Sequence, residues 1–160
     1  MGKVRANAMF VLFSILRFPA TWNVVLAEFR KRDIGVEIGT HCVNDLVPRD
    51  LFDAEPELFR MQDGARVKDG NFCVSSEKAM DRVVRGVAKV AAENPEVGVL
   101  HLWFDDVLGG SWCSCERCAP LSPPEQLSNG IAAVAAAVAQ VRPDLMIDTL
   151  LYHDTLHADR

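Results

Sequence analysis

The sequence lacks any long apolar run, and it lacks an excess of positive charge. No stretch of its 160 residues approaches the roughly 18 consecutive apolar residues of a membrane-spanning helix. Its 17 Lys and Arg stand against 22 Asp and Glu, for a net charge of -5. That balance gives no electrostatic attraction to nucleic acid or to an anionic membrane. The sequence therefore predicts a soluble protein with neither nucleic acid nor membrane as a partner.

A secretory cleavage signal is also missing. The beginning MGKVRANAMFVLFSIL contains an apolar run, but Asn7 interrupts it, Arg17 follows at once and no small-x-small site appears. This favours a cytoplasmic location. The sequence also has no glycine-rich phosphate loop, which removes the usual support for a nucleotide-binding α/β domain.

What remains is an ordinary globular composition, with 49% hydrophobic and 24% charged residues. The length suits one domain over residues 1–160. Short apolar runs predict strands at 7–14, 34–41, 97–104 and 145–152. Between them, three segments place apolar residues at helical spacing, the last with Ile131, Val134, Val138 and Val141 facing inward. This alternation predicts a parallel sheet with right-handed crossovers.

Two connections do not fit the alternation. Residues 42–71 show no convincing periodicity, so they form either a functional loop or a small inserted subunit. Residues 107–121 form a second, cysteine-rich loop, which ends at Ser122-Pro-Pro-Glu125, a capping box for the following helix.

The strand at 97–104 separates an apolar face from a polar one. Leu100, Leu102 and Phe104 share one face, which suits packing against helices, and His101, Trp103 and Asp105 share the other. In the strand at 34–41, Glu37 and His41 alternate with apolar residues in the same way. Polar side chains at the carboxyl ends of parallel strands are typical of α/β active sites.

Asp105 and the adjacent Asp106 are the candidate catalytic residues, as a carboxylate pair of the kind glycosidases use. The alternative is structural, with Asp106 capping a turn and Asp105 bonded to a loop. Glu37 with His41 could bind a substrate hydroxyl or orient the aspartates, or could form an inward ion pair. The candidate substrate-binding residues are Glu37, His41, His101, Trp103, Trp112, Tyr152, His153 and Asp154.

Three of the five cysteines cluster as C-x-C-x-x-C at Cys113, Cys115 and Cys118. They could hold a structural zinc ion, which needs a fourth ligand: Cys73, Cys42 or a histidine. A disulfide or free thiols are the alternatives. The chemistry otherwise requires no cofactor.

The segments PELFRM, NFCVSS and HLWFDD…GGSWCSCERCAPLSPPEQ together resemble the domain-of-unknown-function 4838 family. The resemblance implies a glycoside-hydrolase-like (β/α)8 TIM barrel, related in layout to the family 20 hexosaminidases and the α-glucuronidases, that acts on or binds carbohydrate. In family 20 an Asp-Glu pair ends the fourth strand, and its glutamate is the general acid. Asp105-Asp106 takes the corresponding position here.

A complete barrel needs about 250 residues, so the expected fold is a partial barrel of about four βα units, its strands two to five. We expect such a fragment to pair with the remainder of the barrel or with a second copy. The predicted function is glycoside hydrolysis by carboxylate acid/base catalysis, with Asp105 leading. The alternatives are a non-catalytic carbohydrate-binding or scaffold barrel with a metal-stabilised cysteine loop, and a four-stranded α/β domain complete as it stands.

Overall fold

The centre of the chain is a four-stranded parallel sheet, seen in a computed structural model that describes residues 7–105 and 111–156. The sheet strands are β1 (Ala8–Leu12), β2 (Gly35–Thr40), β5 (Val97–Leu102) and β6 (Met146–Asp148). A separate hairpin contains β3 (Met61–Gln62) and β4 (Ala65–Arg66). The helices are α1 (Pro19–Arg30), α2 (Val43–Leu46), α3 (Glu77–Glu93) and α4 (Pro123–Val141).

The sheet order β1-β2-β5-β6 follows the chain, with every pair parallel. Three βα units and a fourth strand therefore lie side by side in an open sheet, which confirms the predicted partial α/β fold. The sheet is not closed into a barrel within the described residues.

The long helices pack on one face of this sheet. Ile38 and Leu100 are fully buried there, in the same apolar core as Leu26 of α1, Val83 of α3 and Val134 of α4. The predicted alternation in β2 and β5 is confirmed, because Leu102 and Phe104 also enter this core. The residues of opposite parity are thereby directed to the face that the helices leave uncovered.

Sequence signals fix the helix starts. Ser76 caps α3, since its hydroxyl accepts a hydrogen bond from the Ala79 amide. At α4 the predicted capping box is present, with the Glu125 carboxylate accepting from the Ser122 amide at 2.7 Å.

Three sequence-based predictions of extent were wrong. The first strand ends at Leu12, and residues Phe13–Arg17 form a 3-10 helix instead. The last strand, predicted to reach Tyr152, ends at Asp148, and Tyr152 directly precedes a 3-10 turn. Val141, predicted to face inward, is 47% exposed because the buried stripe of α4 ends at Val138.

The connection at 42–71 is a packed insertion. It contains α2, 3-10 turns at Arg49–Leu51 and Pro56–Leu58, and the β3–β4 hairpin. Leu58 and Phe59 within it are fully buried, and Phe59 pairs with Phe72 in an isolated antiparallel bridge. The segment thus has its own anchor in the core and presents its polar residues to the sheet end.

Of the helices in residues 7–105 and 111–156, none combines the length and the apolar character that crossing a membrane requires.

Candidate functional site at the carboxyl edge of the sheet

A hydrogen-bonded row of polar side chains crosses the helix-free face of the sheet. In the strand register, Gly39 of β2, His101 of β5 and Asp148 of β6 are neighbours. His101 Nδ1 lies 2.6 Å from Asp148 Oδ2, and its Nε2 lies 3.1 Å from Glu37 Oε2. Both imidazole nitrogens are therefore engaged by carboxylates, which fixes the ring plane.

Aromatic rings surround this row. The rings of Phe10 and Trp103 stack with centroids 5.6 Å apart and 9° between their planes. Trp103 also donates its indole N–H to Asp148 Oδ2 at 3.3 Å. The His41 ring makes a T-shaped contact with the Trp103 ring, and its centroid lies 6.2 Å from that of the Tyr152 ring. An aromatic surface therefore lies directly beside carboxylate hydrogen-bond acceptors on this face.

Gly39 makes room for His101. A Cβ built on Gly39 would collide with the His101 carbonyl oxygen and with its Cβ. Glycine at this position is therefore a requirement of the close backbone approach between β2 and β5.

Asp105 leaves β5 at the edge of the row and is held from two sides. Its carboxylate accepts a hydrogen bond from Arg49 Nη2 at 2.6 Å, and its amide donates to Asn71 Oδ1 at 2.8 Å. Burial raises the pKa of the Asp105 carboxyl, while the charges of Arg49 and His41 act in the opposite direction. The Asp105 side chain is only 11% exposed.

A small cleft beside Asp105 gathers most of the remaining predicted residues. Its lining includes Asp105, Trp112, Tyr152, His153 and Asp154. His153 adopts a left-handed backbone conformation, with φ of 51°. The predicted site residues at the ends of β5 and β6 thus converge on one rim, whereas Asp106 lies outside the described residues.

The cysteine loop meets Cys73, two residues after the insertion, in a buried cluster of four thiols. Cys73 Sγ lies 3.5 Å from Cys113 Sγ and 3.8 Å from those of Cys115 and Cys118. All four sulfurs lie within 4.8 Å of one another, and this set could hold a metal ion. Cys42 is a separate buried thiol, so Cys73 is the fourth member, as one of the open choices predicted.

The four thiols perturb one another's pKa values through hydrogen bonds within the cluster. Hydrogen bonds from Cys113 and Cys118 lower the pKa of the Cys73 thiol. The pKa of Cys118 is raised in turn, because its proton is shared toward Cys113 and Cys73. Binding of a metal ion by this set would require the thiols to lose their protons, because the thiolate is the ligand form.

Residues of α4 and of the β3–β4 hairpin hold Cys113 in place through hydrogen bonds. Gln126 of α4 accepts from the Cys113 amide through Oε1 and donates to the Cys113 carbonyl through Nε2, both at 3.1 Å. The Met61 amide of β3 donates to Cys113 Sγ at 3.3 Å. The hairpin and α4 thereby clamp the loop on two sides.

Sequence reasoning missed four residues of this region: Arg49, Asn71, Gln126 and Asp148 as a partner of His101. Three of them sit in irregular segments or on a helix, where no periodicity marks them. Asp148 carried a signal, since it is the one charged residue within the apolar run 145–152 that predicts the last strand.

A family model described as a domain of unknown function, DUF4838, matches residues 14–159. No curated protein and no solved structure matches the chain significantly. The match spans β2, β5 and β6 of the sheet, the insertion and all four clustered cysteines, and it begins just after β1. The chain therefore belongs to the DUF4838 family.

Proposed function

We propose that this chain is part of a carbohydrate-active (β/α)8 barrel that hydrolyses glycosidic bonds, with Asp105 as the leading acid/base residue. One observation carries the proposal. The uncovered sheet face joins a carboxylate–imidazole row to a stacked aromatic pair, and it ends at the desolvated carboxyl of Asp105.

The environment of Asp105 supports an acid role. A carboxyl whose pKa is raised by burial keeps its proton at higher pH than an exposed one and can deliver it to a departing sugar oxygen. A second carboxylate completes such a mechanism, as nucleophile or as base for water. Asp106 and an acidic residue on a later strand of the barrel are the candidates for that role.

The row on the sheet face supports sugar binding. The oxygens of Glu37 and Asp148 can accept hydrogen bonds from sugar hydroxyls, and His101 holds both carboxylates in place. The Trp103 ring offers a stacking surface next to them. Aromatic side chains with polar groups converging on them are the usual composition of a small-molecule site.

The four-cysteine cluster fits structural zinc. Zinc–sulfur bonds of about 2.3 Å in a regular tetrahedron place sulfurs about 3.8 Å apart, close to the 3.5 Å and 3.8 Å separations of Cys73 from the other three. Four protein ligands leave no open position for substrate, which assigns the ion a structural role. Zinc in this site would crosslink Cys73, two residues after the insertion, to the cysteine loop.

The edges of the sheet support a partner. Met9 and Leu12 on β1 and Met146 on β6 are 42%, 58% and 63% exposed. Edge strands with uncovered apolar side chains invite further pairing. The remainder of the barrel is the partner that the proposal names first, and a second copy of this chain is the other.

One observation favours a second candidate function, a carbohydrate-binding or scaffold barrel without catalysis. The Asp105 carboxylate is already engaged by Arg49 at 2.6 Å, and a stable ion pair leaves it less free to transfer a proton. This candidate keeps the sugar site and the metal-stabilised loop but predicts no turnover.

A paired assay separates the two candidates. The full-length protein is tested on a glycan array for binding and on a panel of 4-nitrophenyl glycosides for release of nitrophenol. Binding together with turnover supports the hydrolase. Binding alone supports the non-catalytic barrel, and neither activity on any glycan rejects the carbohydrate proposal.

A further inference from the structure

We infer that Asn71 is a positioning residue that links the four-cysteine cluster to Asp105, so that a metal ion held by the cluster fixes the backbone of Asp105. The inference rests on the proposed function, in which Asp105 is the acid/base residue and the cluster holds zinc. It adds that the position of the Asp105 backbone depends on the metal ion in the cluster.

Asn71 touches both ends of the stretch that joins the strand to the cysteine loop. Its side-chain Oδ1 accepts from the Asp105 amide at 2.8 Å, and its own amide donates to the Ser111 carbonyl at 3.1 Å. The residue is 1% exposed, so water cannot easily replace either bond. Asn71 therefore holds the Asp105 amide and the Ser111 carbonyl next to each other.

Asn71 and Ser111, which this hydrogen bond joins, each lie two residues from a cysteine of the cluster. Asn71 precedes Cys73 by two positions, and Ser111 precedes Cys113 by two. The sulfurs of Cys73 and Cys113 lie 3.5 Å apart. Two residues span at most about 7 Å of extended chain, so joining these sulfurs through one ion also holds the two backbone segments together at Asn71.

The same segment holds the second partner of Asp105. The carbonyl of Gly70 accepts a hydrogen bond from Arg49 Nη2, the group that also binds the Asp105 carboxylate. Gly70 has a φ of 68°, and a Cβ there would meet the Arg60 side chain, so only glycine fits. The hydrogen bond of the Asp105 amide and that of its carboxylate thus both depend on residues 70–71.

The link predicts a local effect that can be measured without any substrate. Loss of metal should loosen Asn71 and expose the Asp105 amide, whereas Trp103, two residues earlier, is held independently by a bond to the Thr40 carbonyl at 3.2 Å. Amide hydrogen exchange by NMR reads both positions in one experiment.

The test uses the full-length protein, loaded with zinc and then treated with EDTA. We expect the Asp105 amide to exchange at least about tenfold faster after zinc removal, with Trp103 unchanged. The midpoint of the Asp105 carboxyl titration, followed by ¹³C NMR, should also move by at least about half a pH unit, because Arg49, His41 and Asp69 no longer face it at fixed distances.

Asn71→Ala should give fast Asp105 exchange even with zinc bound, and no further change with EDTA. The matched control is Asn94→Ala. Asn94 is also a buried asparagine, but it bonds Trp22 Nε1 and the Val90 carbonyl, away from the cluster. Asn94→Ala should lower stability and leave the zinc response of Asp105 intact.

An Asp105 amide that is indifferent to zinc removal overturns the inference and leaves the glycosidase proposal standing. Equal acceleration at Trp103 also overturns it, since the effect would then be general unfolding. Failure to bind zinc overturns both this link and the metal assignment. Absence of glycoside turnover with the predicted exchange pattern rejects only the catalytic proposal.

Discussion

Nδ1 of His101 lies 2.6 Å from Oδ2 of Asp148, across two neighbouring parallel strands and on the face that carries no helix. The opposite ring nitrogen faces Glu37 on the third strand. A sheet face used only for packing would place aliphatic side chains at these positions. The carboxylate–imidazole–carboxylate row instead makes this face a polar surface, and it is the basis of the sugar site proposed above.

The stacked partner of this row gives the first prediction. Trp103→Ala should weaken glycan binding about tenfold or more, because the ring supplies the stacking surface. Trp103→Phe should recover much of the affinity, since it keeps a ring next to Phe10 and loses only the 3.3 Å hydrogen bond to Asp148. Titration calorimetry with an array-positive glycan measures both. Equal affinity of the alanine variant and the wild type would contradict the stacking role.

A second prediction concerns the close approach of β2 to β5. Gly39→Ala should lower the free energy of unfolding by about 3 kcal/mol, because the added methyl would collide with the backbone and Cβ of His101. Gly98→Ala is the matched control: it also lies in a strand, and its nearest atom outside its chain neighbours is 3.8 Å away. Chemical denaturation compares them, and equal losses at both positions would show that the contact with His101 is not decisive.

Thiol reactivity gives a third prediction. Burial raises the pKa of Cys42 to about 12, so at pH 8 only about one molecule in 10,000 carries its thiolate. In the zinc-loaded native protein we expect no thiol to react quickly with Ellman's reagent. Chelation should release four reactive thiols and one equivalent of zinc, with Cys42 reacting only after unfolding. Fast reaction of four thiols before chelation would contradict the metal assignment.

Cys118→Ser should abolish stoichiometric zinc binding and destabilise the cysteine loop, because it removes one of four ligands. Cys42→Ser is the control, since it replaces a buried thiol outside the cluster. Elemental analysis should find about one zinc per chain in the control and far less in Cys118→Ser. Loss of zinc from both variants would point away from the cluster.

A fourth prediction follows from the raised pKa of Asp105. The folded protein binds this proton more tightly than the unfolded chain, where an aspartate has a pKa of about 3.9. The resulting stability is present at acid pH below that value and is lost as the pH rises through the folded-state pKa. Asp105→Asn should therefore remove part of the decline in stability on the alkaline side of pH 4.

The stability contribution of Asp144 should depend on pH in the opposite direction. Its pKa is lowered by a hydrogen bond from Arg142, so its contribution is present above the ordinary aspartate value and is lost as the pH falls through the folded-state pKa. Asp144→Asn should therefore change the pH–stability profile below the ordinary aspartate pKa of about 3.9, and Asp105→Asn should change it above that value. Identical profiles for Asp105→Asn and the wild type would contradict the burial effect.

The regular part of this fold could be predicted from the sequence because its signals are local. Alternation in β2 and β5 set the two faces, and the Ser122–Glu125 pair marked the start of α4. The predicted end of the last strand was wrong because apolar residues continue past Asp148. Leu150 and Leu151 extend the apolar run, but the backbone leaves the sheet after Asp148. Hydrophobicity alone does not tell a strand from an extended loop.

In the candidate site too, residues with a local sequence signal could be predicted, and residues placed by tertiary contacts could not. The residues that follow strands, His41 and Asp105, were visible as polar groups after apolar runs. Arg49 and Asn71 were not, because the insertion at 42–71 brings them to Asp105 through tertiary contacts with no sequence period. The fourth cysteine was one of several candidates until the packing of the insertion placed Cys73 beside Cys113.

The most direct test of the account is the turnover of Asp105→Asn in the full-length protein, measured on a 4-nitrophenyl glycoside that the wild type cleaves. The variant keeps the shape of the side chain and cannot transfer a proton, so kcat should fall by about 10²-fold or more while the far-UV circular dichroism stays unchanged. Asp144→Asn, at an exposed ion pair with Arg142, should retain wild-type kcat. Undiminished turnover by Asp105→Asn would contradict the assignment of Asp105 as the acid/base residue.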